Sequence, residues 1–187
     1  MRNLLLTADT TTPTAIPFET LSVPTLGFWS LAFCMASLHL MLALQVAIPS
    51  SIFALIMLNG GVVQIFTGLL AWRKGQAIAS VALISLGLFW LSLLGQLSLP
   101  AAGFGAPPSA NDLAAYFMIW SIFTLFLAQS ARQIRCMLFS PLLLLSLSLL
   151  LLAVGQVVSS PLLPYVAAVT GLAGSGIALI LPVFERG

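Results

Sequence analysis

The sequence from Cys136 to Phe184 reads CMLFSPLLLLSLSLLLLAVGQVVSSPLLPYVAAVTGLAGSGIALILPVF, which is 49 residues without Asp, Glu, Lys or Arg. A membrane-spanning helix needs about 20 apolar residues, so this stretch is long enough for two. Ser159-Ser160-Pro161 breaks it near the middle. Its leucine runs are apolar on every face, unlike the alternating residues of a membrane β-strand. The stretch therefore predicts two consecutive transmembrane helices.

Three other charge-free stretches extend this pattern. Residues 20–72 offer 53 positions for two spans, residues 75–111 offer 37 for one span and a Pro- and Gly-rich loop, and residues 113–131 offer 19 for one. We therefore predict an all-α integral membrane protein whose single domain, residues 22–187, is a bundle of six transmembrane helices. The predicted spans are 26–47, 50–72, 77–99, 112–131, 136–158 and 162–184.

The composition excludes several broad classes of protein. Hydrophobic residues make up 60% of the 187 residues and charged residues only 5%, against roughly a quarter charged in soluble domains. A water-soluble fold would lack polar surface, and a disordered chain would not be this apolar. The net charge of +2 provides no basic patch for nucleic acid. The expected surroundings are therefore a lipid bilayer.

The positive residues predict the orientation of the bundle. With six spans, both termini lie on the same side as the loops after the second and fourth helices. All six Lys and Arg fall on that side, which should be cytoplasmic: Arg2, Arg73, Lys74, Arg132, Arg135 and Arg186. We expect a protein of the cell (inner) membrane with both termini inside and a disordered cytoplasmic tail at residues 1–21.

Residues capable of acid–base or metal chemistry are scarce. His39 is the only histidine and lies within the first predicted span. It is a candidate pH sensor, and the alternative is a neutral histidine hydrogen-bonded inside the bundle. No second ligand stands at metal-binding spacing, so we expect neither a metal nor another cofactor. Gly174-Ser175-Gly176 suggests close helix packing rather than a serine hydrolase, and we expect no enzymatic activity.

Uncharged polar and aromatic residues recur at helical spacing in the predicted spans. Residues three and four apart share a helix face, and buried amides in a bilayer need partners or water. The stripes indicate either ordinary interhelical hydrogen bonds or a polar permeation path. They comprise Gly60, Gln64 and Thr67 in the second span, Ser85, Phe89, Ser92 and Gln96 in the third, Tyr116, Trp120 and Thr124 in the fourth, and Gln156 in the fifth.

The order of these residues resembles a known family. The segment GGVVQIFTGLL at 60–70, followed by Lys74-Gly75, is similar to the G-G-x-x-Q-x-x-x-G signature and K-G pair of the acetate uptake transporters, the succinate–acetate permeases. SLGLFWL at 85–91 resembles the family's S-Y-G-x-F-W-L, and Tyr116, Trp120 and Phe123-Thr124 resemble its Y-x-x-x-W-x-x-F-T. The resemblance covers roughly residues 22–184.

Some positions depart from the family pattern. The family's N-P-A-P-L-G-L motif is Ser22-Val23-Pro24-Thr25-Leu26-Gly27-Phe28 here, so its Asn is missing. The Tyr of S-Y-G is Leu86, a family Glu is Ala71, and the Asn after K-G is Gln76. The resemblance therefore indicates a divergent member.

The resemblance implies a pore in each protomer and a homohexamer in the bilayer, with passage of acetate and of succinate or other short carboxylates. By position, the family's apolar constriction falls on Leu31, Leu86 and Leu145. The expected pore-lining or substrate-binding residues are Gln64, Ser85, Phe89, Trp90, Ser92, Gln96, Tyr116, Trp120, Thr124 and Gln156.

The residues themselves bear on the transport mechanism. An anion is costly to move through a low-dielectric path without cations or donors, and the spans hold no Lys or Arg in their interiors. We expect channel-like or proton-linked passage, with the substrate crossing as the neutral acid or with much of its water. The alternatives are a pore for small neutral solutes, such as an amide, a diol, ammonia or water, and a membrane assembly protein without flux.

Overall fold

The structure is a computed structural model that describes residues 23–132 and 136–184. All regular structure in these two ranges is helical, and six helices are long and apolar enough to cross a membrane. The prediction of an all-α bundle with six spans is confirmed. The helices are α1 (Val23–Ala43), α2 (Ser50–Arg73), α3 (Ala77–Ser98), α4 (Ala110–Arg132), α5 (Cys136–Val158) and α6 (Leu163–Phe184), with a 3₁₀ turn at Pro100–Ala102 after α3. The expected tail at residues 1–21 lies outside the described residues.

Helix α1 ends at Ala43, four residues before the predicted end. Gln45 adopts a left-handed conformation with φ 53°, which an α-helix cannot continue through. The backbone N–H of Val46 donates to Met41 O (3.2 Å), and that of Gln45 donates to Leu42 O (3.2 Å). This pair of bonds is the Schellman arrangement, which satisfies the last carbonyls of a helix. The apolar residues after Ala43 therefore form the connection to α2.

Helix α2 contains a π-helical segment, Met57–Val63, between two α-helical parts. Such segments widen a helix locally and are frequent at functional sites. Two side chains of α1 reach its neighbourhood: the Ser30 hydroxyl donates to the carbonyl of Asn59, and Cys34 Sγ lies 3.9 Å from Ile56 O. The widened turn is therefore tied to α1 through side-chain contacts with its backbone.

The six helices pack in a closed order around the core. Each helix contacts its neighbours in the order α3–α2–α1–α6–α5–α4, and α4 returns to α3 through a smaller contact. The main core cluster draws on every helix, from Phe28 in α1 to Ala167 in α6. This arrangement directs one face of each helix toward a shared interior.

Glycines of α2 and α3 allow these two helices to approach closely. A Cβ at Gly60 would lie 2.6 Å from Trp90 Cγ, and one at Gly68 would lie 2.7 Å from Ile84 Cγ1. Gly61 in α2 packs against the side chain of Leu91. These glycines therefore serve helix packing inside the protomer.

Candidate functional site

Gln64 is the buried residue that leaves the most side-chain polar atoms without a hydrogen-bond partner among the described residues. Its side chain is fully buried, and neither Oε1 nor Nε2 has a hydrogen-bond partner among the described residues. It lies one turn beyond Gly60, whose backbone faces the Trp90 ring, so Gln64 is on the face of α2 turned to the interior. An unpaired buried amide costs roughly 1–3 kcal/mol. The fold therefore retains Gln64 at a cost in stability.

Other buried polar atoms share this condition. In the part of the chain that the structure describes, the indole N–H of Trp90, the hydroxyl of Thr124 and Nε2 of Gln96 also lack partners. All three were predicted to line a pore. The hydroxyl of Ser80 is unpaired too, and sequence reasoning missed it, because Ser80 lies outside the stripe that runs from Ser85 to Gln96. Most buried polar groups in proteins are paired, so each of these four unpaired atoms calls for its own explanation.

The aromatic stripes of α3 and α4 meet in one cluster. The Phe89 ring lies 5.2 Å from the Trp120 ring and 6.0 Å from the Tyr116 ring, measured between centroids. The Tyr116 hydroxyl donates to Phe89 O (2.9 Å) and lies 2.7 Å from Ser92 Oγ. Phe89 is fully buried, whereas Ser92 is exposed. The cluster thus runs from the core to the α3–α4 seam.

The remaining predicted lining residues are less central. Ser85 is half-buried on α3, one turn before Phe89. Gln156 is half-buried near the end of α5 and lies outside the aromatic cluster.

The three leucines predicted as a constriction are all fully buried. Leu31, Leu86 and Leu145 have no exposed surface and belong to the same core cluster. A Cβ at Gly27 would lie 2.6 Å from Leu83 Cδ1, so α1 and α3 meet there. Leu31 and Leu86 each follow this contact by about one turn, at similar depths in the bundle. Because α1 begins at Val23, Leu31 is well inside its helix.

His39 is held by hydrogen bonds between three helices. Its ring is fully buried; Nδ1 lies 2.7 Å from Met35 O, and Nε2 lies 2.7 Å from Ser148 Oγ. Ser148 Oγ in turn lies 2.8 Å from Ala167 O on α6. The ring occupies the space that a Cβ at Gly171 would need. His39 is therefore enclosed where side chains and backbone of α1, α5 and α6 meet.

Sequence reasoning did not single out Ser148. The available signal was a pair of hydroxyls, Ser146 and Ser148, within a run that is otherwise leucine. The two serines have different partners in the structure. Ser146 and Ser121 form two reciprocal hydrogen bonds, in which each hydroxyl donates to the backbone carbonyl of the other residue (2.8 Å each). These bonds join α4 to α5. Only the packing of α1 against α5 and α6 distinguishes Ser148 from Ser146.

Comparison with known proteins places this architecture among membrane transporters. A family model described as the GPR1/FUN34/yaaH family matches residues 11–182. The succinate-acetate/proton symporter SatP of Escherichia coli (strain K12) is 33% identical over 143 residues, which is 74% of each chain. The ammonia transport outward protein 3 of Saccharomyces cerevisiae is 28% identical over 111 residues, 57% of this chain and 40% of that protein.

A solved structure shares the fold. The structure of the bacterial acetate channel SatP superposes with a TM-score of 0.83 at 30% identity, covering 89% of this chain and 93% of that one. The similarity extends over all but a small part of both chains, and the sequence and structural comparisons agree. The chain is a multi-pass membrane protein that belongs to the GPR1/FUN34/yaaH family.

Proposed function

We propose that the protein is a channel or transporter for acetate and related short carboxylates, including succinate, and not an enzyme. Family membership and the likeness to SatP support this function. The observation that carries it is Gln64, a fully buried amide whose donor and acceptor both lack hydrogen-bond partners in the part of the chain that the structure describes. A site that keeps such a group at a cost in stability is suited to binding a small polar solute in transit.

The chemistry of Gln64 favours the neutral acid over the anion. A carboxylic acid presents one O–H donor and one carbonyl acceptor, which match Oε1 and Nε2 of an amide at two points. A carboxylate offers acceptors only and would set an oxygen against Oε1. The charged side chains that the structure describes, such as Arg73, Asp112 and Arg132, stand near helix ends. Among the described residues, no cation therefore offsets the cost of an anion at the level of Gln64.

The permeation path follows from the same interior. We place its constriction at Leu31, Leu86 and Leu145, since close leucine side chains can shut a narrow path by excluding water. The proposed pore-lining or substrate-binding residues are those expected from the sequence: Gln64, Ser85, Phe89, Trp90, Ser92, Gln96, Tyr116, Trp120, Thr124 and Gln156. The partly exposed groups among them would form the approaches, and the fully buried ones the narrow part.

The cellular setting and assembly are part of the proposal. We infer that the protein lies in the cell (inner) membrane with both termini in the cytoplasm, because all six Lys and Arg then lie inside. We further propose a homohexamer in which each protomer carries its own path. Native mass spectrometry from several detergents tests the assembly, and a protomer-sized particle in all of them would contradict it.

Radiolabelled acetate uptake into proteoliposomes tests the function. Acetic acid also crosses lipid unaided, so protein-free vesicles of the same composition give the baseline, and succinate, glycerol and urea are compared in parallel. We expect uptake of acetate above baseline, greater at lower pH, with little flux of glycerol or urea. Flux of neutral solutes alone would show a different pore, and baseline flux for every solute would show that the protein does not transport them.

A further inference from the structure

We propose that His39 and Ser148 form a proton-binding site that joins α1, α5 and α6. The site lies within the last turn and a half of α1, on the Ala43 side of Leu31. It is built from a fully buried ring, a fully buried hydroxyl and two backbone carbonyls. Its ligand is a proton, accepted by the imidazole to give an imidazolium.

The contacts form a chain with an acceptor at each end. Met35 O lies 2.7 Å from Nδ1 of His39, Nε2 lies 2.7 Å from Ser148 Oγ, and Ser148 Oγ lies 2.8 Å from Ala167 O. These separations are normal for hydrogen bonds. A carbonyl oxygen only accepts, so the hydrogen at each end must come from His39 or from Ser148.

A count of hydrogens distinguishes the two charge states of the ring. Neutral His39 carries one N–H and Ser148 one O–H, which gives two hydrogens for three contacts. In the neutral form one contact therefore lacks a hydrogen: Nδ1 to Met35 O if the N–H is on Nε2, and either Nε2 to Ser148 or Ser148 to Ala167 O if it is on Nδ1. The imidazolium carries two N–H groups, so Nδ1 donates to Met35 O, Nε2 donates to Ser148 Oγ, and Ser148 donates to Ala167 O. The protonated ring therefore satisfies all three contacts.

The residues around His39 can stabilise the positive charge of its protonated ring only through hydrogen bonds. The described parts of α1, α5 and α6 contain no Asp, Glu, Lys or Arg. Among the side chains that the structure describes, the other titratable ones in these helices are Cys34, directed at Ile56 O, and Tyr165, which is exposed near the beginning of α6. Hydrogen bonds to ionised groups are roughly twice as strong as neutral ones. Ser148 is thus the residue on which proton affinity depends most.

Proton binding is coupled to helix packing. When the proton leaves, one of the three contacts loses its hydrogen: His39 to Met35 O within α1, His39 to Ser148 between α1 and α5, or Ser148 to Ala167 O between α5 and α6, so two of the three join different helices. Helices α1 and α5 also carry Leu31 and Leu145, so we expect the charge state of the ring to bias the positions of these two walls of the proposed constriction. This link to flux rests on the proposed transport function, whereas proton binding by the pair does not.

Nitrogen NMR provides a direct test, because His39 is the only histidine in the chain. The protein, purified without a histidine tag and labelled with ¹⁵N-histidine, is placed in lipid bilayers, and solid-state spectra are recorded from pH 8 to pH 5. The shifts of Nδ1 and Nε2 report whether each nitrogen carries hydrogen. We expect the doubly protonated ring to appear and grow on acidification. A ring that stays neutral at pH 5 would overturn the proposal.

Variants of Ser148 separate this site from a merely packed histidine. Ser148→Ala should weaken proton binding about tenfold, since it removes a hydrogen bond to an ionised group, and Ser148→Thr should restore it. Ser146→Ala, a buried serine two residues away that pairs with Ser121, should leave the titration unchanged. Identical titration in wild type and Ser148→Ala would overturn the role of Ser148. The wild-type spectrum decides proton binding even if Ser148→Ala does not fold.

The coupling between proton binding at His39 and transport is measured separately, as acetate flux between pH 5 and 7.5. His39→Gln keeps hydrogen-bonding groups but cannot take up the proton, so its flux should lose most of its pH dependence relative to wild type. An unchanged pH profile would overturn the coupling to the constriction. Absence of wild-type flux would instead contradict the proposed function, and the NMR titration would still report on the proton site.

Discussion

At the scale of single residues, Gln64 combines a structural cost with a proposed functional role. Both of its polar atoms are buried without a hydrogen-bond partner within residues 23–132 and 136–184, so replacing it with an apolar residue removes a penalty of roughly 1–3 kcal/mol. We predict that Gln64→Leu raises the thermal stability of the protein in detergent while lowering acetate flux at least tenfold. Thermal unfolding and proteoliposome uptake measure the two effects on one preparation.

The matched control for Gln64 is Gln129, an exposed glutamine on α4. Gln129→Leu should change neither flux nor stability appreciably, because its amide is not enclosed. If Gln64→Leu transports acetate as well as wild type, the amide does not bind the solute and the two-point contact is wrong.

At the scale of helices, the contact between α6 and α1 depends on a glycine. A Cβ at Gly171 would enter the space of the His39 ring, and both residues are on packed helices. We predict that Gly171→Ala destabilises the bundle by about 1–3 kcal/mol, as overpacked cores do. Thermal unfolding in lipid nanodiscs measures the change.

Another glycine of α6 provides the comparison for Gly171. A Cβ at Gly176 meets nothing within 4 Å, so Gly176→Ala should be neutral or stabilising by up to about 1 kcal/mol. Combining Gly171→Ala with His39→Ala should recover much of the loss, since it removes the ring that the new methyl group meets. Equal stability of the two single glycine variants would contradict this description of the α6–α1 contact.

At the scale of the whole molecule, three helices supply the proposed constriction, so a change in one should alter the path as a whole. Leu86 is fully buried in the shared core. We predict that Leu86→Ala increases acetate flux and admits larger acids, because the shortened side chain widens the narrow region and weakens exclusion of water. Uptake of acetate, propionate and butyrate measures rate and selectivity together.

The control for Leu86 lies two residues away on the same helix. Leu88 is 52% exposed, on the side of α3 that faces away from the core. Leu88→Ala should leave rate and selectivity unchanged. A core Leu→Ala change costs about 2–5 kcal/mol, so folding and assembly are checked by size-exclusion chromatography. If Leu86→Ala is folded yet transports like wild type, the constriction lies elsewhere.

The number and positions of the helices could be predicted, because they depend on properties that run along the chain. Crossing a bilayer requires about 20 apolar residues with every backbone group paired internally, and the charge-free stretches meet this requirement six times. The end of α1 was placed four residues too late, since Leu44 and Val46 are apolar enough to extend a span. The left-handed turn at Gln45 is a matter of backbone conformation that hydropathy does not report.

The fate of the polar residues was decided by the tertiary structure alone. Helical spacing placed Phe89 on one stripe and Tyr116 and Trp120 on another, and only the packing of α3 against α4 brings their rings together. Spacing also cannot say whether a buried polar atom finds a partner. Ser148 forms a hydrogen bond with His39, which is 109 residues away in the sequence. The side-chain amide of Gln64 has no hydrogen-bond partner among the described residues. Hydropathy is additive along the sequence, whereas a hydrogen bond depends on which side chain of another helix arrives within about 3 Å. Local sequence therefore determines which segments enter the membrane. The hydrogen bonds of the interior are determined only by the packing of all six helices.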